Sequence, residues 1–212
     1  MIKQEEYSMN HSEHLLNLAK IAGFDHCAYL ETKDIIFDEA LRKSCEQNTC
    51  GNYGRNWACP PHCGEIRECI KKAKQYRSAI VVQYIGQLED SYDFEGMVAA
   101  AETFEKMFNQ LADLFKKEIS DTYPLSAGGC HQCSRCAILE NKPCVHPKTA
   151  YPSLESHGIY VSDLAQKTNM KYINGQNTVT YFGAVLYHAK EDSCILYIFW
   201  KQHFQTILAC KS

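Results

Sequence analysis

Four cysteines crowd the stretch Ala127 to Pro147, at Cys130, Cys133, Cys136 and Cys144. The first three are spaced C-x2-C-x2-C. That spacing bends the chain round one centre and returns a thiolate at each step. Three thiolates delivered this way suit three corners of an iron–sulfur cube, with Cys144 as the distant fourth ligand. Zinc sites more often join two C-x2-C pairs from separate places, and a third ligand two residues further on is less natural there. Pro147 follows Cys144 closely, and ferredoxin-type runs also end near a proline. The stretch therefore reads first as a [4Fe–4S] site, second as a zinc site, and last as disulfides or free thiols.

A second cysteine group lies upstream in C-E-Q-N-T-C-G-N-Y-G-R-N-W-A-C-P-P-H-C-G, residues 45–64. Cys45, Cys50, Cys59 and Cys63 together satisfy one cube or one tetrahedral ion, and iron–sulfur again stands ahead of zinc and of structural thiols. Gly51, Gly54, Pro60, Pro61 and Gly64 argue against regular helix or strand, so this is expected to be a loop. Tyr53 and Trp57 either shield the site from water or pack the loop onto the core. His62 and Glu65 near this loop, and His131 and His146 beside the other, are candidates for proton transfer or outer-shell contacts. Each reads more simply as a solvated loop residue. Cys27 and Cys69 read as core thiols, and Cys194 and Cys210 as structural or free ones.

The elements that must position these loops follow from hydrophobic period. A helix is expected over Ser12 to Ile21, stopped by Gly23, and a strand over His26 to Leu30. Asp34 to Leu41 fits either a short helix or a strand. Ile66 to Tyr76 reads as a helix with Ile66, Cys69, Ile70 and Ala73 on one face. Ser78 to Ile85 reads as a strand covered on both sides. Phe94 to Ile119 carries the longest helical pattern, and its aromatic and Met stripe is core. Tyr123-Pro124 breaks that helix, and Gly128-Gly129 would let backbone N–H groups approach cluster sulfurs. Pro152 fits the start of a short helix ended by Gly158, and Ser162 or Asp163 would cap another. Asn177 to His188 and Cys194 to Trp200 suggest a hairpin. The expected fold is mixed α/β: one domain over residues 1–212, a sheet flanked by helices, and cysteine loops at 45–64 and 127–147 at one end of the sheet.

A chain of 212 residues with 45% hydrophobic and 22% charged content can bury one good core. No apolar run reaches the length of a membrane span, and the N-terminus lacks the apolar core of a signal peptide. A cytoplasmic protein without membrane association is expected. Twelve cysteines there are metal ligands and core thiols rather than structural disulfides. A net charge of −3 argues against nucleic-acid binding. Nothing in the chain sets the oligomeric state.

The combined pattern C-x4-C-G-x-Y-G-x-x-W-x-C-P-P, then G-G-C-x2-C-x2-C-x7-C-x2-P, then S-x-E-x-x-G and T-V-T-Y-F-G resembles a family. It is the uncharacterised, cysteine-rich "predicted metal-binding protein" family found mostly in anaerobic prokaryotes. The matching residues are Cys45, Cys50, Gly51, Tyr53, Gly54, Trp57, Cys59, Pro60 and Pro61 in the first part. Cys130, Cys133, Cys136, Cys144, Pro147, Ser153, Glu155, Gly158 and the run Thr178 to Gly183 follow. The resemblance implies metal or iron–sulfur binding without naming an activity. Cys63 stands outside this pattern, which would leave the first site three cysteines and one open iron able to act as a Lewis acid.

Three functions follow. The first is a redox protein with two [4Fe–4S] clusters serving a redox partner. The second is an enzyme or enzyme subunit using the open iron at Cys45, Cys50 and Cys59, with catalytic residues unknown. The third is a zinc-stabilised interaction module. No dinucleotide, P-loop, nucleophile-elbow or H-E-x-x-H motif is present, and the radical-SAM spacing C-x3-C-x2-C is absent.

Overall fold

The structure, a computed structural model, describes residues 2–188, with side chains from residue 11 onward. Helix α1 (Ile2–Ile21) leads through Gly23 into strand β1 (His26–Glu31). A short helix α2 (Arg42–Glu46) opens the first cysteine loop, and helix α3 (Ile66–Ala73) closes it. Strand β2 (Ser78–Gln87), the long helix α4 (Phe94–Glu118) and strand β3 (Thr122–Leu125) follow. After the second cysteine loop come helix α5 (Val161–Lys167) and strand β4 (Thr178–Tyr187). The strands make one antiparallel sheet in the order β1-β2-β4-β3.

Alternation along the two central strands divides the core between the faces of the sheet. Ile80, Val82, Val185 and Tyr187 point to one side, where Leu15 and Ala19 of α1 and Phe104, Phe108, Leu111 and Phe115 of α4 cover them. Ala79, Val81, Ala184 and Leu186 point to the other, against Ala73, Leu154, Ile159, Leu164 and Ala165. Full burial of each large side chain contributes roughly 1.5–3 kcal/mol. Because both faces are covered, β2 and β4 read as unbroken apolar runs even though the sheet is antiparallel.

Two glycines seat α4 on the sheet. A Cβ at Gly183 would stand 2.5 Å from the Phe108 ring, and one at Gly86 would stand 2.6 Å from the Ala100 methyl. The glycine that ends T-V-T-Y-F-G is therefore a packing residue.

Several expectations change. Cys45 lies on α2 rather than in loop, because the turn residues begin only after Glu46. Tyr123-Pro124 ends the helical region, as expected, but also forms β3. Pro124 is tolerated because β3 is an edge strand, with only one side needing ladder hydrogen bonds. Asp34 to Leu41 has something of each: the 3-10 helices Thr32–Asp34 and Glu39–Leu41 flank the isolated β-bridge of Phe37 with Ile159. Pro152 begins no α-helix: a 3-10 turn, Glu155–His157, ends at Gly158. Helix α5 has Tyr160 rather than Ser162 or Asp163 at its N-cap. Cys194 to Trp200, the second arm of the expected hairpin, lies outside the described residues, as does Cys210. No helix among the described residues is long and apolar enough to cross a membrane.

Gly183→Ala is expected to lower stability by about 1–3 kcal/mol through overpacking against α4. Urea denaturation checks it, and an unchanged midpoint would contradict the packing role.

Candidate metal centre

The first loop is shaped by asparagine side chains that take the place of regular secondary structure. Asn48 Oδ1 accepts the Tyr53 N–H at 2.9 Å, and Asn56 Oδ1 accepts the Ala58 N–H at 3.1 Å. Asn56 Nδ2 donates to Asn52 Oδ1 at 3.3 Å. The Gly54 N–H donates to the Pro60 carbonyl at 2.8 Å and closes the loop on itself. These turns carry Cys50 at the surface and bury Cys59. Burial pushes the Cys59 thiol up to about 11, opposed by a hydrogen bond with the Asn56 side chain, and Cys45 and Cys50 also act on it through space. Burial raises the Cys45 thiol too, against the pull of Arg42.

The second loop is tied to α4. Glu105 Oε1 accepts the His131 N–H at 3.4 Å and Gln132 Nε2 at 3.1 Å. Lys116 Nζ donates to the Tyr151 hydroxyl at 2.7 Å and to the Lys148 carbonyl at 3.2 Å, where the chain leaves the loop. Two backbone amides already point at sulfur. The Gln132 N–H bonds Cys130, and the His146 N–H lies 3.4 Å from Cys144 Sγ. Such N–H···S bonds stabilise ligating thiolates and tune a cluster's potential. Burial nevertheless holds the Cys130 thiol up at about 11. Cys130 is electrostatically coupled to Cys133 and Cys144, and Cys133 to Cys136 and Cys144.

The two loops meet just past the end of β3. Cys59 of the first is electrostatically coupled to Cys130 of the second. Asn52 packs where a Cβ on Gly129 would stand, 2.7 Å away, so Gly129 is bare to admit the other loop. Trp57 Nε1 donates to the Lys142 carbonyl at 3.1 Å, so Trp57 bridges the loops. A cavity of about 180 Å3 opens beside this junction, lined by Asn52, Glu105, Asn109, Cys130, His131 and Tyr181 among others.

Cys63 is placed differently from Cys45, Cys50 and Cys59. Cys69 on α3 directs its thiol at the Cys63 carbonyl at 3.5 Å, and the two thiols act on each other's ionisation. Their proximity favours ionisation of one sulfur at the expense of the other, lowering Cys69 and raising Cys63, with His157 helping Cys69 against the cost of burial. Among the proton-transfer candidates, His62 packs its ring 5.5 Å from that of Trp57. Glu65 is exposed at the N-cap of α3, and His131 and His146 are exposed. Cys27 is a half-buried thiol 3.6 Å from the Leu16 carbonyl.

One residue carries more than the sequence reading assigned to it. Glu155, given no role beyond its place in S-x-E-x-x-G, has one carboxylate oxygen sealed from solvent without a hydrogen-bond partner. Its side chain bonds Ser153, burial raises its carboxyl, and its charge acts on the Cys45 thiol. Arg42 holds this turn in place. The residue is 9% exposed, and its guanidinium donates to the Gly64 carbonyl at 3.0 Å and to the Ser156 carbonyl at 3.1 Å. Gly158 completes the turn at φ +74°, where a Cβ would strike the Asp38 carbonyl at 2.7 Å. The signal that would have found Glu155 is a carboxylate framed by Ser and Gly in a turn that packs on a cysteine helix.

No three His, Cys, Asp or Glu side chains among the described residues converge tightly enough to hold a single metal ion. What the structure provides is two neighbouring sets of donors, with backbone amides on two sulfurs and one orphaned carboxylate oxygen. Soft thiolates of this kind suit iron–sulfur clusters and zinc.

Arg42→Leu is expected to cost about 2–4 kcal/mol, because buried carbonyls at Gly64 and Ser156 lose their donor. Arg42→Lys should recover only part, since one ammonium does not reproduce the planar fork. Thermal unfolding of the metal-free chain measures both, and full recovery by lysine would contradict the clamp.

In comparisons with known proteins, no curated protein and no solved structure matches the chain. A family model does match, over residues 28–187, which takes in both cysteine loops, the Glu155 turn and all four strands but the first two residues of β1. The chain belongs to the family described as Predicted metal-binding protein (DUF2284).

Proposed function

We propose that this protein carries two [4Fe–4S] clusters and relays electrons between them and a redox protein partner in a reducing cytoplasm. The observation that supports this reading is the packing of the two cysteine loops on each other, with Asn52 against Gly129 and Trp57 Nε1 on the Lys142 carbonyl. Electron relay needs neighbouring centres, and adjoining loops would supply them. Cys130, Cys133, Cys136 and Cys144 would hold one cluster. Cys45, Cys50 and Cys59 would hold the other, with the orphaned oxygen of Glu155 as its fourth donor in place of Cys63. An iron–sulfur cluster supplies one-electron redox chemistry at a potential set by its ligands and surroundings. The chain's own part is to orient the thiolates, donate N–H groups to the sulfurs, and keep water off the junction with Trp57 and Asn52.

The test is iron, sulfide and zinc content, with an absorption spectrum, on full-length protein purified without oxygen. About eight irons and eight sulfides per chain with a broad band near ~400 nm are expected. Colourless protein carrying about two zinc ions would overturn the reading in favour of a structural module.

Two variants divide the sites. Cys133→Ala is expected to lose about half the iron and leave the first site loaded, while Cys194→Ala changes neither. In the Cys133→Ala background, a second change of Glu155→Ala should weaken retention of the remaining iron by at least about tenfold under a chelator. It should also alter the electron paramagnetic resonance signal of the reduced protein. An identical signal and identical retention would remove Glu155 from the donor set while leaving the two-cluster reading intact.

A further inference from the structure

Helix α4 carries its apolar side chains past the sheet that buries most of them. Ala100 packs on Gly86, one residue from the end of β2, and from there onward Phe104, Phe108, Leu111 and Phe115 are buried. Before that point the apolar pattern continues at Phe94 and Val98, four residues apart on one side of the helix. No strand covers them. Phe94 is 72% exposed and Val98 59%, and Tyr92, just ahead of the helix, is 81% exposed. Phe94, Val98 and Ala99, with Glu95 and Glu102, line a shallow groove of about 350 Å3. Large apolar side chains grouped in this way on a surface mark a contact site.

The charges around the groove select its occupant. From Ser78 to Glu105 the chain holds six Asp and Glu and no Lys, Arg or His, in a protein whose net charge is only −3. Two of those carboxylates are used in the turn before α4. Asp90 accepts the Tyr92 N–H at 2.7 Å, and Asp93 accepts the Gly96 N–H at 2.7 Å and the Glu89 N–H at 3.0 Å. Glu95 and Glu102 are exposed and form the polar part of the groove's wall. Carboxylates there repel nucleic acid and anionic lipid, and they attract a basic protein surface. The helix itself joins the groove to the second cysteine set. Ala101, one turn on from Val98, and Glu105, two turns on, line the cavity that Cys130 also lines. Glu105 holds the His131 N–H and the Gln132 side chain of that loop.

We propose that the exposed start of α4 is the docking surface for the redox protein partner, and that this partner is a basic protein with an apolar side chain at the centre of its contact surface. The apolar group seats against Phe94 and Val98, and Lys or Arg side chains around it meet Glu95 and Glu102. A partner held there lies along α4 from the second cysteine set. The electron-transfer use of this surface rests on the two-cluster reading, whereas the docking itself does not.

The test uses full-length protein and a basic c-type cytochrome as the probe. Binding is followed by isothermal titration calorimetry on protein as purified, whatever metal it holds. Binding is expected, and it should weaken at least about tenfold when salt is raised to about 0.2 M. The pair Glu95→Lys and Glu102→Lys should weaken it at least about tenfold. The pair Glu13→Lys and Glu68→Lys, which changes net charge equally on α1 and α3, should weaken it less than about twofold. Phe94→Ser with Val98→Ser should weaken it at least about tenfold with charge, iron content and circular dichroism unchanged. Equal weakening by the two charge pairs would overturn the proposal, because only net charge would then be felt. So would unchanged binding after loss of Phe94 and Val98. Benzophenone placed at position 98 as p-benzoylphenylalanine should crosslink to the cytochrome on illumination. Crosslinks only to a second copy, or only within the chain, would assign the groove to those occupants and overturn the proposal. Stopped-flow mixing after reduction with dithionite tests the clusters separately. One electron passes from a reduced cluster to the cytochrome haem, taking its iron from Fe(III) to Fe(II) with no proton moved. Binding mapped to the groove without that transfer would keep the docking surface and count against the two-cluster reading.

Discussion

The arrangement of the first cysteine loop against the Glu155 turn rests on the guanidinium of Arg42. It lies buried between α2, the exit of the first cysteine loop at Gly64 and the turn at Ser156. A guanidinium in such a place is stable only if its N–H groups find acceptors, and those acceptors are backbone carbonyls of two distant segments. One donor group therefore fixes where Cys45 sits, where the chain turns after Cys63, and where Glu155 and His157 come in from the other side. Arg42 Nε stays without a partner, and that cost is accepted to keep the fork aimed at the two carbonyls.

A division of labour follows from how the loops are anchored. The first loop is shaped mostly by its own asparagines, and the second by Glu105 and Lys116 of α4. The helix is seated in turn by the bare backbone at Gly86 and Gly183. The position of the second cysteine set is thus transmitted from the sheet through α4, whereas that of the first depends on local turn chemistry. Burial raises the thiols of Cys45, Cys59 and Cys130, so a metal entering either set must displace protons as it binds.

Much of this was legible in the residues. Hydrophobic period located α3, α4, β2 and β4 closely, because each buries a long apolar face and the periods differ plainly. It failed at β3, where four residues with a proline offer no period and pairing with β4 alone makes the strand. Spacing marked out both cysteine loops, since it is a local property. It did not separate Cys63 from Cys45, Cys50 and Cys59. What Cys63 faces is Cys69 on α3, which His157, almost a hundred positions away, also influences. Glu155 stayed without a role for a similar reason. A carboxylate looks solvated in a sequence until the turn that carries it is docked against a buried helix end.

The fit of Asn52 over Gly129 has a consequence for how the chain acquires its occupants. A loop of this composition has a large conformational entropy to lose when it is fixed. Each cysteine loop presents a surface on which the other is built, through Asn52 and through the bond from Trp57 to Lys142. Ordering one loop therefore lowers the entropic cost of ordering its neighbour. Whatever orders either loop therefore helps to order the other, without any direct contact between what each one holds. The two loops form one ordering unit.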